Sequence, residues 1–182
     1  MTRPRHPPTP LSPADLERFA LRYVERYATT RGRLADYLRR KIRERGWSGD
    51  ATPDLADLAQ RMADRGYIDD RLFAESKANA MGRRGLGARR IGEALRHAGI
   101  ESEDLEAVTP GVKAGSVASA IAFAKRKRIG PFARETAERP VQEKHLAAML
   151  RAGHALDLAR RIVRMAPGDD PEALIVPEWD QL

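Results

Sequence analysis

The chain has 182 residues, with 33 Lys and Arg against 26 Asp and Glu, no cysteine and a formal charge of +7. Disulfides and thiolate metal sites are therefore excluded, and no apolar run reaches the length of a membrane span. Leu, Ile, Val and Phe total only 36, beside 29 Ala, a thin apolar set that favours small helical units over one thick core. The start, MTRPRHPPTP, lacks the apolar stretch of a signal peptide, and a cytoplasmic protein is expected.

Residues 1–11 read as a flexible Pro-rich tail. Ser12-Pro13-Ala14-Asp15 then opens a helix, with Ser as cap, Pro at the first position and an acid at the positive end. Leu16, Phe19, Ala20, Tyr23, Val24 and Tyr27 line one face of it. A second helix carries Leu34, Leu38 and Ile42 and ends at Gly46-Trp47. A third opens at Thr52-Pro53-Asp54, places Leu55, Leu58, Ala59, Met62 and Ala63 on one side, and stops at Gly66.

The pattern recurs. Asp69-Asp70 caps a helix with Leu72, Phe73, Ser76 and Ala80 on its face, and the next helix carries Ile91 and Leu95 and ends at Gly99-Ile100. A short helix from Ser102 to Val108 completes the second round. The third has Val117, Ala120, Ile121 and Ala124, then a helix through His145 and Met149 ending at Gly153-His154, then Ala155, Leu158, Ala159 and Ile162. Gly46, Gly99 and Gly153 are 53 and 54 residues apart, each ending the middle helix of a triplet. The expectation is an all-α fold of three tandem three-helix modules, 12–66, 67–110 and 111–167, in an elongated, curved array, followed by an acidic tail at 168–182. Residues 111–167 carry 12 cations against 4 acids, and the tail carries 5 acids and no cation.

A search for chemistry finds no active site. His6, His97, His145 and His154 are scattered, and neither a phosphate loop nor a zinc-ligand spacing occurs. Arg84-Gly85-Leu86-Gly87 contains a GxG but follows no strand, so a dinucleotide site is rejected. Asp69-Asp70 could hold a divalent ion, but a helix cap explains it without further carboxylates. No metal, cofactor or catalytic residue is expected. Basic clusters remain: Arg39, Arg40, Lys41, Arg43 and Arg45 on the second helix, Arg83, Arg84, Arg89 and Arg90 around a connection, and Lys125, Arg126, Lys127 and Arg128 with no acid within six residues. Free amides at a helix start, flanked by Arg, would suit phosphates, in contacts that are sequence-independent and salt-sensitive.

The stretch Gly66-Tyr67-Ile68-Asp69-Asp70-Arg71-Leu72-Phe73-Ala74 resembles the GY[IL]DDxxFA signature of the RecX family of RecA modulators. Gly87-Ala88-Arg89-Arg90-Ile91 through Leu95 to Ala98-Gly99-Ile100 resembles that family's second block, with Ala94 where Glu is usual. The signature residues Gly66, Tyr67, Asp69, Asp70, Phe73, Ile91, Leu95 and Gly99 read mainly as structural, specifying the joint between modules. The resemblance implies a non-enzymatic, monomeric cytoplasmic regulator that binds RecA, RecA–ssDNA filaments and DNA. It would restrain ATP hydrolysis, strand exchange and filament growth, and with them homologous recombination, DNA repair and the SOS response. The alternative is a helix-turn-helix DNA-binding regulator that acts without RecA. Asn79 as the chain's only Asn argues against a base-reading helix.

Overall fold

The computed structural model describes residues 9–174. Nine α-helices and two short 3-10 turns account for the regular structure there, and no strand forms among the described residues. No single helix there is long and apolar enough to cross a membrane. The helices follow one another as tandem triplets, and the chain divides into two compact units, one reaching to Phe73 and including His97–Glu101, the other comprising Ala74–Arg96 and the chain from Ser102 onward.

The first unit contains α1 (Pro13–Arg26), α2 (Arg31–Arg45) and α3 (Leu55–Asp64). Helix α1 begins with a reciprocal box: Asp15 N donates to Ser12 Oγ (3.2 Å) and Ser12 N to Asp15 Oδ2 (3.1 Å). Those bonds from Ser12 hold the Asp15 carboxyl below its ordinary range. Helix α3 is capped by Asp54, which accepts from Ala56 N and Asp57 N, so the helix starts past Pro53. Leu16, Leu34, Leu38, Leu58, Met62 and Ile68 fill the core between the three helices. Leu11 belongs to this core, fully buried (0 % exposed), at the end of a segment expected to be a flexible tail. It is tied down by Leu11 N donating to Gly46 O (2.9 Å) and Ser48 N to Leu11 O (3.0 Å). The tail expectation otherwise falls on residues 1–8, outside the described residues, as 175–182 of the acidic tail also do.

Helix α4 (Asp70–Arg83) begins in the first unit and continues in the second, which also holds α5 (Ala88–Arg96), α6 (Ser102–Ala114), α7 (Ser116–Lys127), α8 (Arg139–Arg151) and α9 (Leu156–Arg164). The face expected on α4 is corrected. Leu72 is 61 % exposed and Ser76 is exposed, while Asp70, Ala74 and Ala78 form the buried row at i, i+4 and i+8. Helix α6, expected to end at Val108, runs on to Ala114 through Pro110. Pro110 leaves the Glu106 carbonyl without its helical donor, a cost of about 3 kcal/mol in an isolated helix. Phe123, Ile129, Met149 and Ile162 centre the second core, with Leu174 packed on its edge.

Candidate nucleic-acid interface

The densest basic run sits where α7 ends. Ala124 and Ile129 are buried on either side of it, which leaves Lys125, Arg126, Lys127 and Arg128 facing solvent. Three of the four lie in the last turn, where cations complement the negative end of the helix dipole. Arg128 closes the helix in the left-handed region, at φ 56°, and Ile129 N then reaches back to Ala124 O (3.0 Å). The Arg126 guanidinium lies over the Phe123 ring (5.5 Å) and donates to the Arg84 carbonyl, bringing the 83–84 segment beside the run. None of Lys125–Arg128 has a carboxylate partner among the described residues.

Arg89 and Arg90 are differently placed. Both pair with Glu93, at 2.6 and 3.3 Å, and Arg89 Nη2 also donates to Leu150 O (3.0 Å). The hydrogen bond from Arg90, with the charge of Arg89, holds the Glu93 carboxyl below its ordinary range. Two of the amides expected to be open to a phosphate at the start of α5 are taken. Gly87 N donates to Ala152 O (2.9 Å) and Arg89 N to Gly153 O (3.2 Å). The carbonyl end of α8 has met the amide end of α5, and each satisfies groups the other would leave unpaired.

This meeting depends on absent side chains. A Cβ on Gly87 would lie 2.3 Å from the Gly153 carbonyl carbon and oxygen, and one on Gly85 would lie 2.7 Å from Phe123 N. His154, only 6 % exposed, closes the contact: Nε2 donates to Gly85 O (3.1 Å) and its ring meets Phe123 edge-on at 5.5 Å. Burial lowers the His154 pKa from its ordinary value, outweighing the opposite effect of the Gly85 bond. Sequence reasoning set this histidine aside as one of four scattered ones. The available signal was its place directly after a helix-ending glycine, together with an unexplained Gly-x-Gly at 85–87.

The signature residues lie elsewhere and do structural work that spacing alone left ambiguous. Asp69 caps its own helix, accepting from Leu72 N (2.7 Å). Asp70, its side chain 3 % exposed, reaches across to α2, accepting from Arg31 N and Arg31 Nε, both at 3.0 Å. The Arg31 guanidinium also meets Gln60 Oε1 (2.8 Å) and Glu101 Oε2 (3.2 Å). Thr30 caps α2 through Arg33 N (3.1 Å) and donates its hydroxyl to Ala98 O. Beside it the Gly32 and Gly99 backbones approach so closely that a Cβ on Gly32 would lie 2.7 Å from Gly99 Cα. Ile91 and Leu95 are buried on α5, Phe73 is half-buried under the Arg33 guanidinium (5.2 Å), and Gly66 turns the chain at φ +79°. Tyr67, expected to brace the joint, is half-exposed, and its neighbour Ile68 takes the buried place. Among the described residues no three His, Cys, Asp or Glu side chains converge as a metal site.

Residues 69–108 match the family model for RecX, second three-helix domain. The chain is 29 % identical over 168 residues to the regulatory protein RecX of Myxococcus xanthus, covering 88 % of this chain and 90 % of that one. It is 29 % identical over 134 residues to the regulatory protein RecX of Pseudomonas savastanoi, covering 73 % and 82 %. Its fold resembles the crystal structure of RecX from Lactobacillus salivarius, with a TM-score of 0.63 at 22 % identity over 82 % of this chain and 93 % of that one. A second RecX crystal structure aligns with a TM-score of 0.57 at 21 % identity, covering 82 % and 72 %.

Proposed function

We propose that the chain, similar over residues 69–108 to the second three-helix domain of RecX and 29 % identical to regulatory RecX proteins, is a RecX-type regulator that binds RecA and RecA–ssDNA filaments and inhibits their ATPase, strand exchange and growth. It thereby limits recombination, DNA repair and SOS induction. It works in the cytoplasm as a monomer, with no catalysis of its own. The observation that carries this reading is the exposed run Lys125–Arg128, four cations with no carboxylate partner among the described residues, with Arg84 drawn alongside through Arg126. Such a surface takes up phosphates by releasing their counterions and does so without reading sequence. Arg83 and Arg84 extend it. Arg89 and Arg90 contribute less, because Glu93 already answers part of their charge.

The run is tested by a Lys125→Gln, Lys127→Gln variant, which leaves the Arg126–Arg84 bond in place. Affinity for duplex DNA is measured by fluorescence anisotropy across a salt titration. Each lost phosphate contact flattens the plot of log affinity against log salt by about one unit, so a loss of about two is expected. An unchanged slope contradicts the assignment and places the polyanion contact elsewhere.

A further inference from the structure

Helices α1 and α2 carry a second feature, in the first unit, that the basic run does not account for. Phe19, Tyr23 and Tyr27 recur every four residues on α1, and Tyr37, Lys41 and Arg45 do so on α2, so each set forms a row about 12 Å long. The Tyr23 and Tyr37 rings stack at 4.2 Å with 19° between their planes, and Tyr27 continues the series at 5.2 Å from Tyr23. Cations accompany the rings: Arg26 lies 5.5 Å from the Tyr27 centroid, and Arg40 and Lys41 lie 5.7 and 5.8 Å from that of Tyr37.

Packing explains only part of this. Tyr23, Tyr37 and Phe19 are half-buried against the first core, but Tyr27 is not part of that cluster and is 49 % exposed at the end of α1. Tyr27, its ring tilted 50° to that of Tyr23 beside the stacked pair, holds a large aromatic side chain out of the core and half open to solvent. The charge beside it is positive: α2 carries seven cations against two carboxylates. Those two, Asp36 and Glu44, engage Arg39, Arg40 and Lys41, while Arg26 has no carboxylate partner among the described residues. A ligand matched to a flat apolar face beside cations is itself flat, aromatic and anionic. Unpaired nucleobases on a phosphodiester backbone have that chemistry; in a duplex the same faces are already stacked on one another.

We infer that Tyr27, backed by the stacked Tyr23–Tyr37 pair and flanked by Arg26, Arg40 and Lys41, forms a stacking platform for an unpaired base of a single-stranded nucleic acid. The inference rests on the proposed function only insofar as the protein meets nucleic acid; the platform is separate from Lys125–Arg128 and makes a different kind of contact.

The test uses the full-length protein, a labelled oligothymidylate and a labelled mixed-sequence duplex, with affinity read by anisotropy. Removing one stacking ring weakens single-strand binding about fivefold or more. Tyr27→Ala is therefore expected to raise the single-strand Kd by at least that factor, with its salt slope and the duplex Kd unchanged, and Tyr27→Phe is expected to retain binding. Unchanged single-strand affinity in Tyr27→Ala overturns the platform, as does an equal loss for both ligands or a wild-type protein that does not bind the oligothymidylate. Failure of the proposed polyanion run appears separately, as an unchanged salt slope in the Lys125→Gln, Lys127→Gln variant.

Discussion

In each unit a glycine meets another glycine backbone to backbone, and different chemistry holds the contact. In the first, Gly32 at the start of α2 meets Gly99, and an ionic lock, Asp70 against Arg31 and Arg31 against Glu101, joins the bond from the Thr30 hydroxyl to the Ala98 carbonyl. In the second, Gly87 before α5 meets Gly153 after α8, and the lock is neutral: two backbone hydrogen bonds and the bond from His154 to Gly85. The constant element is two backbones brought within a distance that a Cβ forbids; the polar groups that fasten them differ. The difference has a consequence at the surface. Arg31 is consumed by its lock, whereas in the second unit only Arg126 of the basic run bonds within the protein, to the Arg84 carbonyl, and Lys125, Lys127 and Arg128 stay open to a partner.

The largest expected effect is on the glycines themselves. Gly87→Ala puts a Cβ 2.3 Å from rigid backbone atoms of Gly153 and is expected to destabilise the protein by about 3 kcal/mol or more. Gly32→Ala, with its nearest atom at 2.7 Å, is expected to cost about 2 kcal/mol. Urea unfolding measures both, and a Gly87→Ala protein as stable as wild type would break the comparison. Next comes the ionic lock. Asp70→Ala strips the cap from Arg31 N and one partner from a guanidinium that keeps Gln60 and Glu101, a loss of about 2 kcal/mol, with Asp70→Asn losing about half as much. Equal stabilities of the Ala and Asn variants would show that the cap, at least, is not used.

The smallest effect distinguishes the neutral lock. The His154 pKa is lowered by burial, so below the ordinary value of 6.5 the unfolded chain binds a proton that the folded chain refuses. The stability due to this group is therefore present above pH 6.5 and declines as pH falls through the folded pKa. His154→Phe is expected to flatten the dependence of unfolding free energy on pH between 7 and 5. A variant that keeps the wild-type pH profile would assign that profile to other groups.

The helices were legible because their signals are local: the Ser12 box, the apolar rows of α1 and α3, and the glycines that end α2 and α5 lie within a few residues of one another. What the pattern misjudged involved partners distant in sequence. Leu72 looked like a core residue by type, but the close-packed row of α4 is built on Ala74 and Ala78. Asp69 and Asp70 looked alike as caps, and only the fold shows that one serves its own helix and the other reaches a helix start 39 residues away. The helix expected over Ser102 to Val108 extends as α6 through Pro110 to Ala114. The candidate site was legible as composition, in the acid-free run 125–128. That Arg126 gathers Arg84, and that two amides at the start of α5 are occupied, follows from contacts at separations of 42 and 64 to 65 residues, which no local pattern carries.

Restraint of RecA is the activity proposed for this chain. The DNA-dependent ATPase of RecA from the same organism, titrated with this protein from well below equimolar to excess, tests it most directly. ATP turnover is expected to fall progressively, beginning at sub-stoichiometric amounts. A rate that stays constant across the whole titration, with RecA still bound to its single strand, would contradict it.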